Sequence, residues 1–176
     1  MNANLAPPIV LIPDFLPDPG KLFSLLRDTV TWDERMRARK TASFGVSYDY
    51  SQISYPETPM HPNLVHVCHG IEEKLGFRPN NCLMNYYPDG SSAMGFHSDS
   101  SEELAPGTGV AIVSLGAERP IVYRNKADRT VEHAYPLAAG SLLYMSQEMQ
   151  AEWLHAIPKA EGCGERISLT FRHILK

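Results

Sequence analysis

Apolar and polar positions change their rhythm near residue 80 of this chain. Upstream, an apolar run at 9–12 suits a short first strand. Asp18-Pro19 then marks a helix start, with Asp18 as N-cap and Pro19 at the first helical position. Leu22, Phe23, Leu25 and Leu26 follow at helical spacing. A second helix is predicted over 62–75, where Leu64, Val67, Ile71 and Leu75 share one face and Gly76 can end it. Downstream the signals are short apolar runs between turn residues: 81–87, 109–115, 120–123, 131–136, 141–145, 153–157 and 166–173. Strands at roughly 8–12-residue spacing read as a sandwich, barrel or jelly roll. The expectation is a single domain over 1–176, with helical support in 1–80 and a mainly β core in 81–176.

Composition narrows the class. At 176 residues with 43% hydrophobic and 20% charged positions, the chain can bury a sizeable core and does not have a disordered composition. No apolar run reaches the roughly 18 residues of a membrane-spanning helix, so no membrane is expected. The N-terminal stretch lacks the basic and long apolar regions of a signal peptide. Sixteen basic and 20 acidic residues give a net charge of −4, which argues against a polybasic protein but leaves room for a local basic patch. The three cysteines, Cys68, Cys82 and Cys163, form no CxxC pair, so neither a disulfide framework nor a structural zinc site is expected. A cytoplasmic monomer is the default expectation.

Three features carry chemistry. His97-Ser98-Asp99 on a strand would aim an imidazole and a carboxylate the same way. His155, in the later run 153–157, supplies a second imidazole. Two His and one carboxylate make the facial triad of non-haem Fe(II) oxygenases, which leaves coordination positions open; an HxD motif alone is weak. The run Arg166-Ile-Ser-Leu-Thr-Phe-Arg172 alternates strictly, with Ile167, Leu169 and Phe171 on one face and Arg166, Ser168, Thr170 and Arg172 on the other. Inside a barrel these arginines would each need an anion. They stand ~20 Å apart along the strand, and side chains leaning inward could bracket a small dicarboxylate. The bland alternative is an exposed edge strand with a solvated outer face. Asn85 and Tyr87 share a face on the run before HxD and offer hydrogen bonds to the same place.

In this order, Asn-x-Tyr at 85–87, HxD at 97–99, His155 and Arg-x5-Arg at 166–172 resemble the AlkB family of Fe(II)- and 2-oxoglutarate-dependent dioxygenases. The likeness extends through NYYPDGSSAMGFHSD, ELAPGTGVAIVSLGA, AAGSLLYM, WLHAIP and RISLTFRHI, covering about 38–174. It implies a double-stranded β-helix, the cupin-like jelly roll. It also implies Fe(II) held by His97, Asp99 and His155, and 2-oxoglutarate held by Arg166, Arg172, Asn85 and Tyr87, with O₂ as the oxidant. Arg39, Lys40, Tyr48 and Tyr50 resemble the family's nucleotide-recognition lid. The implied reaction is oxidative demethylation of alkylated DNA or RNA bases, with formaldehyde leaving from a hydroxylated N-methyl group. A base inside a duplex must first flip out.

One departure bears on substrate. The family's demethylases usually place acidic residues directly after HxD, against a cationic base. Here Ser100 and Ser101 stand there, and Glu102 is the nearest acid that could reach. Arg35, Arg37, Arg39 and Lys40 form a basic run whose arginines, if extended, would track a phosphate backbone. Asp33 and Glu34 adjoin it, so a solvated surface cluster is the alternative. Trp32, Met36 and Phe44 are open as candidates for a wedge that fills the gap left by a flipped base. Two other functions stay in view: a hydroxylase or demethylase of a small molecule, free nucleoside or protein, and a β-sandwich binding module without metal.

Overall fold

The computed structural model describes residues 5–175. Twelve strands and three α-helices follow one another among them. β1 (Val10–Ile12) leads to α1 (Pro19–Thr29), whose first turn is capped by the Asp18 side chain accepting from the Lys21 amide. β2 (Lys40–Gly45), β3 (Tyr48–Tyr50) and β4 (Ile53–Tyr55) come next. A 3₁₀ turn at Pro62–Leu64 runs into α2 (Val65–Leu75), which ends at Gly76 with φ +82°. That left-handed cap suits glycine.

The remaining elements are β5 (Asn81–Tyr87), β6 (Met94–His97), β7 (Val110–Gly116), β8 (Arg119–Asn125), β9 (Glu132–Leu137), β10 (Leu142–Met145), α3 (Gln147–Glu152), β11 (Trp153–Ile157) and β12 (Arg166–Arg172). They build a six-stranded sheet ordered β1-β10-β7-β12-β5-β2 and a four-stranded sheet ordered β6-β11-β8-β9. From β5 onward the chain passes between the two sheets, which is the winding of a double-stranded β-helix. Gly116, at φ +82°, makes the passage from β7 to β8; a Cβ there would lie 2.4 Å from the Glu165 carbonyl oxygen.

Two buried clusters explain the alternation. On one face of the large sheet, Ile167, Leu169, Phe171, Val113 and Met84 pack against Leu22 and Leu26 of α1 and Val67 and Ile71 of α2. Between the sheets, Leu143, Met145, Ile121, Tyr123, Leu137 and Trp153 form the second cluster. β12 runs between β5 and β7, hydrogen-bonded on both edges, so it is not the exposed edge strand that was the alternative reading.

The N-terminal portion differs from a purely helical support. β1 and β2 complete the two edges of the large sheet, and β3 pairs with β4 as a separate hairpin. β2 reads KTASFG, with no apolar alternation to announce it. Its pairing with β5, from Lys40↔Tyr86 to Gly45↔Asn81, is a tertiary effect.

Candidate active site

The β12 alternation sets one wall of a narrow cleft between the sheets. Arg166, Ser168, Thr170 and Arg172 all face into it, with Asn85 and Tyr87 from β5 beside them. In register, Arg166 stands opposite Tyr87 and Ser168 opposite Asn85, so these side chains sit on one surface because the pleat puts them there. Ile112, Ile121, Leu137 and Ile157 make the rest of the lining largely apolar.

His97 and His155 are direct cross-strand partners between β6 and β11, with ring centroids 4.3 Å apart. Asp99 completes the group; one ligand atom from each of the three residues lies within 4.8 Å of the others. The strand-based expectation for HxD needs one correction. β6 ends at His97, and Asp99 lies beyond it, held by its amide donating to Gln150 Oε1 at 2.9 Å. β6 also carries a register shift: Met94 pairs with Ile157 and His97 with His155, so three steps on one strand face two on the other. Such a bulge re-aims a side chain beside a site.

The protonation states suit metal binding. The His97 Nδ1–H donates to the Gly95 carbonyl at 2.8 Å, which leaves Nε2 for a ligand. His97 Nε2 stands 3.7 Å and His155 Nε2 3.5 Å from the Asp99 carboxylate. Burial, reinforced by the positive His97 and Arg172 and opposed by Asp99, pulls His155 down to about 4, so its imidazole is neutral near pH 7. Burial also disfavours a charged His97, but the Asp99 carboxylate outweighs it and holds His97 above the usual histidine value. Burial pushes the Asp99 carboxyl up. His97, Arg172 and His155 more than reverse that and hold it well below the usual carboxylate range.

The two arginines behave as half-finished contacts. Arg166 is 1% exposed; its Nη2 donates to Ser114 Oγ at 3.0 Å, while Nε and Nη1 are buried without a partner. Arg172 is 3% exposed; its Nη2 lies 3.4 Å from Asp99 Oδ1, and its Nε and Nη1 are likewise orphaned. Buried guanidinium donors left unpaired are costly. An acid with carboxylates at both ends would satisfy them, and 2-oxoglutarate has that form. The donor set of two imidazoles and one carboxylate fits Fe(II).

The remaining sequence candidates are placed less uniformly. Arg39 is only 8% exposed: Nε donates to Asn85 Oδ1 at 2.8 Å, Nη1 to the Ala93 carbonyl at 3.0 Å, and Nη2 to the Tyr50 hydroxyl. It therefore ties the β3–β4 hairpin to the cleft, and the single exposed face of three arginines is not what the structure has. Arg35 is spent on Asp33, and Lys40 lies 3.0 Å from Glu34 and over the Tyr86 ring, outside the cleft lining. Tyr50 lines the cleft, and the Tyr48 ring sits 4.8 Å from the Arg172 guanidinium. Glu102 is exposed and lies outside the lining, which corrects the idea that it reaches the site. Trp32 packs edge-on against Tyr86, and Phe44 against His61.

Sequence reasoning passed over Arg119. It is fully buried on β8, and its phase with Ile121 and Tyr123 in an alternating strand was the available signal.

Fold and site together define an oxygenase-type jelly roll with a facial triad. The profile of the 2OG-Fe(II) oxygenase superfamily matches residues 24–172. The chain belongs to that superfamily, within its AlkB family. It is 35% identical over 148 residues to human DNA oxidative demethylase ALKBH2, covering 78% of this chain and 57% of that protein. It is 34% identical over 167 residues to bovine alpha-ketoglutarate-dependent dioxygenase alkB homolog 3, covering 89% of this chain and 57% of that protein. The chain thus spans little more than half the length of these two relatives. The solved structure of OsALKBH1 superposes with a TM-score of 0.71 at 17% identity, over 96% of this chain and 99% of that one, a likeness of fold.

Proposed function

We propose that the protein is an Fe(II)- and 2-oxoglutarate-dependent dioxygenase that oxidatively demethylates alkylated nucleic-acid bases. The observation that carries this reading is the joining of two incomplete sites in one cleft. The His97, Asp99 and His155 group and the orphaned donors of Arg166 and Arg172 are linked through the Asp99–Arg172 contact. Bound iron with a 2-oxo acid and O₂ would supply the oxidising chemistry; the protein binds, orients and excludes water.

His97, Asp99 and His155 would hold the iron. Arg166, with Tyr87 and Ser114 around it, would take the far carboxylate of 2-oxoglutarate, and Arg172 would favour the carboxylate nearer the metal. The apolar lining keeps bulk water away from both charges. The β3–β4 hairpin, tethered through Tyr50 to Arg39 and through Tyr48 to Arg172, would cover an N-methylated base and carry the substrate-lid role of the N-terminal portion. The relatives' names, DNA oxidative demethylase and alkB homolog, support the nucleic-acid substrate.

A second reading keeps the chemistry and changes the substrate to a small molecule, free nucleoside or protein. It is favoured by the cleft lining, where Asp99 is the sole acidic residue, and by the burial of Arg39 away from any phosphate-tracking surface. The −4 net charge points the same way. A cytoplasmic site of action is part of the proposal, supported by three free cysteines. Among the described residues no helix is long and apolar enough to cross a membrane.

The test is a product assay with Fe(II), ascorbate, 2-oxoglutarate and oligonucleotides bearing 1-methyladenine or 3-methylcytosine. Formaldehyde release that disappears in His97→Ala supports nucleic-acid demethylation. Succinate without formaldehyde supports the second reading.

A further inference from the structure

Arg119 opens β8 and is 0% exposed, the same depth as the most buried apolar residues. Its partners are carbonyls. Nη2 donates to the Ser92 carbonyl at 2.8 Å and the Pro158 carbonyl at 2.6 Å, and Nη1 lies 3.5 Å from the Asp89 carbonyl. Its Nε is buried with no partner. No ion pair joins Arg119 to a carboxylate among the described residues. A buried cation hydrogen-bonded only to backbone carbonyls, with the exposed Asp89 carboxylate attracting it only from beyond ion-pair distance, is expensive unless something nearby uses its charge.

What lies nearby is Tyr87. The Arg119 guanidinium carbon is 5.5 Å from the centre of the Tyr87 ring, and that of Arg166 is 5.1 Å from the same centre. Tyr87 is itself fully buried and lines the cleft; Arg119 does not line it. Two buried guanidiniums from opposite sheets therefore share one aromatic ring, at the Arg166 end of the cleft. Arg119 works with burial to lower the proton affinity of Arg166. A single carboxylate placed against Arg166 would relieve both.

We propose that Arg119 is a positioning residue for the cosubstrate: acting through the Tyr87 ring and by its buried charge, it makes the Arg166 end of the cleft demand an anionic group. It would thereby select 2-oxo acids with a second, ionised carboxylate over those whose far end is neutral. Arg119 touches no cosubstrate atom in this arrangement. It holds the ring by cation–π attraction, keeps the 89–92 turn and Pro158 in place, and adds positive potential where water is excluded. The proposal rests on reading the Arg166 end as the site of the far carboxylate.

The experiment compares two ligands of nearly the same shape by calorimetric titration into protein loaded with Mn(II) under anaerobic conditions. One is 2-oxoglutarate and the other is 5-methyl-2-oxohexanoate, whose far group is a neutral isopropyl of nearly the carboxylate's shape. The wild type is expected to prefer the dicarboxylate. Arg119→Met should reduce that preference about tenfold, chiefly by weakening 2-oxoglutarate, because charge-selective recognition depends on the local field. Arg119→Lys keeps the charge and should keep the preference within about threefold.

A purely structural role predicts that Arg119→Met weakens both ligands equally, and that result overturns the proposal. Should Arg119→Met give no folded protein, Arg119→Lys decides: loss of the preference in that folded variant overturns it too. A wild type that binds the two ligands equally fails the reading of the Arg166 end itself. A wild-type preference that survives Arg119→Met fails only the role of Arg119.

Discussion

The floor of the cleft and the basic segment at 35–40 hold their charges in opposite ways. On the floor, Arg166 and Arg172 each keep two buried donors without partners, and the ligand atoms of His97, Asp99 and His155 cluster within 4.8 Å. In the basic segment, Arg39 spends its guanidinium on Asn85, Ala93 and Tyr50, Arg35 is paired with Asp33, and Lys40 with Glu34. The floor presents unpaired donors and clustered ligand atoms suited to bound partners. These three cations find their partners within the protein. A region that tolerates unsatisfied buried charge is built around something it binds, whereas a satisfied region reports mainly on its own stability.

Substitutions on the floor should therefore cost function, and substitutions in the basic segment should cost stability. The largest effect is expected for Asp99→Ala, which removes the shared carboxylate between both imidazoles and Arg172. Succinate formation should fall below detection and Co(II) should no longer bind, as read by its visible absorption. Next, Arg166→Met should weaken 2-oxoglutarate about 100-fold, because it removes a charge-assisted, two-pronged contact in a dry site. Calorimetry on the Mn(II)-loaded protein measures that change, and an affinity within a factor of two would erase the contrast.

Acid should act on the floor as well. Metal binding needs a neutral His97, and Asp99 holds that imidazole above the usual histidine value, so a proton competes with the metal. Below the His97 value, Mn(II) affinity should drop about tenfold per pH unit, the signature of one displaced proton. His155, at about 4, should add no competition until much lower pH.

In the basic segment, Arg39→Ala should destabilise the fold by about 2–4 kcal/mol in denaturant unfolding, since it strands Asn85 and Tyr50 as well as losing its own bonds. The smallest effect is expected from Lys40→Ala, within about 0.5 kcal/mol, because its ion pair with Glu34 is largely exposed. If Arg39→Ala instead left stability untouched and weakened an oligonucleotide with a flatter salt dependence, the basic segment would be a binding surface and the contrast would be wrong.

The same contrast explains what could be read from the sequence. β12 was legible because strict alternation put two arginines in phase with Ser168 and Thr170, and a period of two survives any tertiary detail. The second helix was legible from its apolar face and Gly76, apart from its 3₁₀ first turn. The metal group was legible as residue types, but not the bulge in β6 or the position of Asp99 past the strand end, which depend on pairing with β11. β2 and the three-residue β3 and β4 were not legible, because they are fixed by partners rather than by their own pattern. The burial of Arg39 was hidden for the same reason: a basic run looks like a surface until β2 beside it is known to be a sheet strand. Arg119 was not legible from its charge, since charged residues are mostly solvated, but its phase with Ile121 and Tyr123 placed it inside.

The central claim is that the triad and the two arginines form one site, joined at Asp99 and Arg172. Linkage tests it directly, because two ligands that share a site must change each other's affinity reciprocally. Calorimetric titration of 2-oxoglutarate into metal-free and Mn(II)-loaded protein makes the measurement. One site predicts that Mn(II) tightens 2-oxoglutarate by at least about tenfold, a coupling of about 1.4 kcal/mol. Equal affinity with and without the metal would contradict the account.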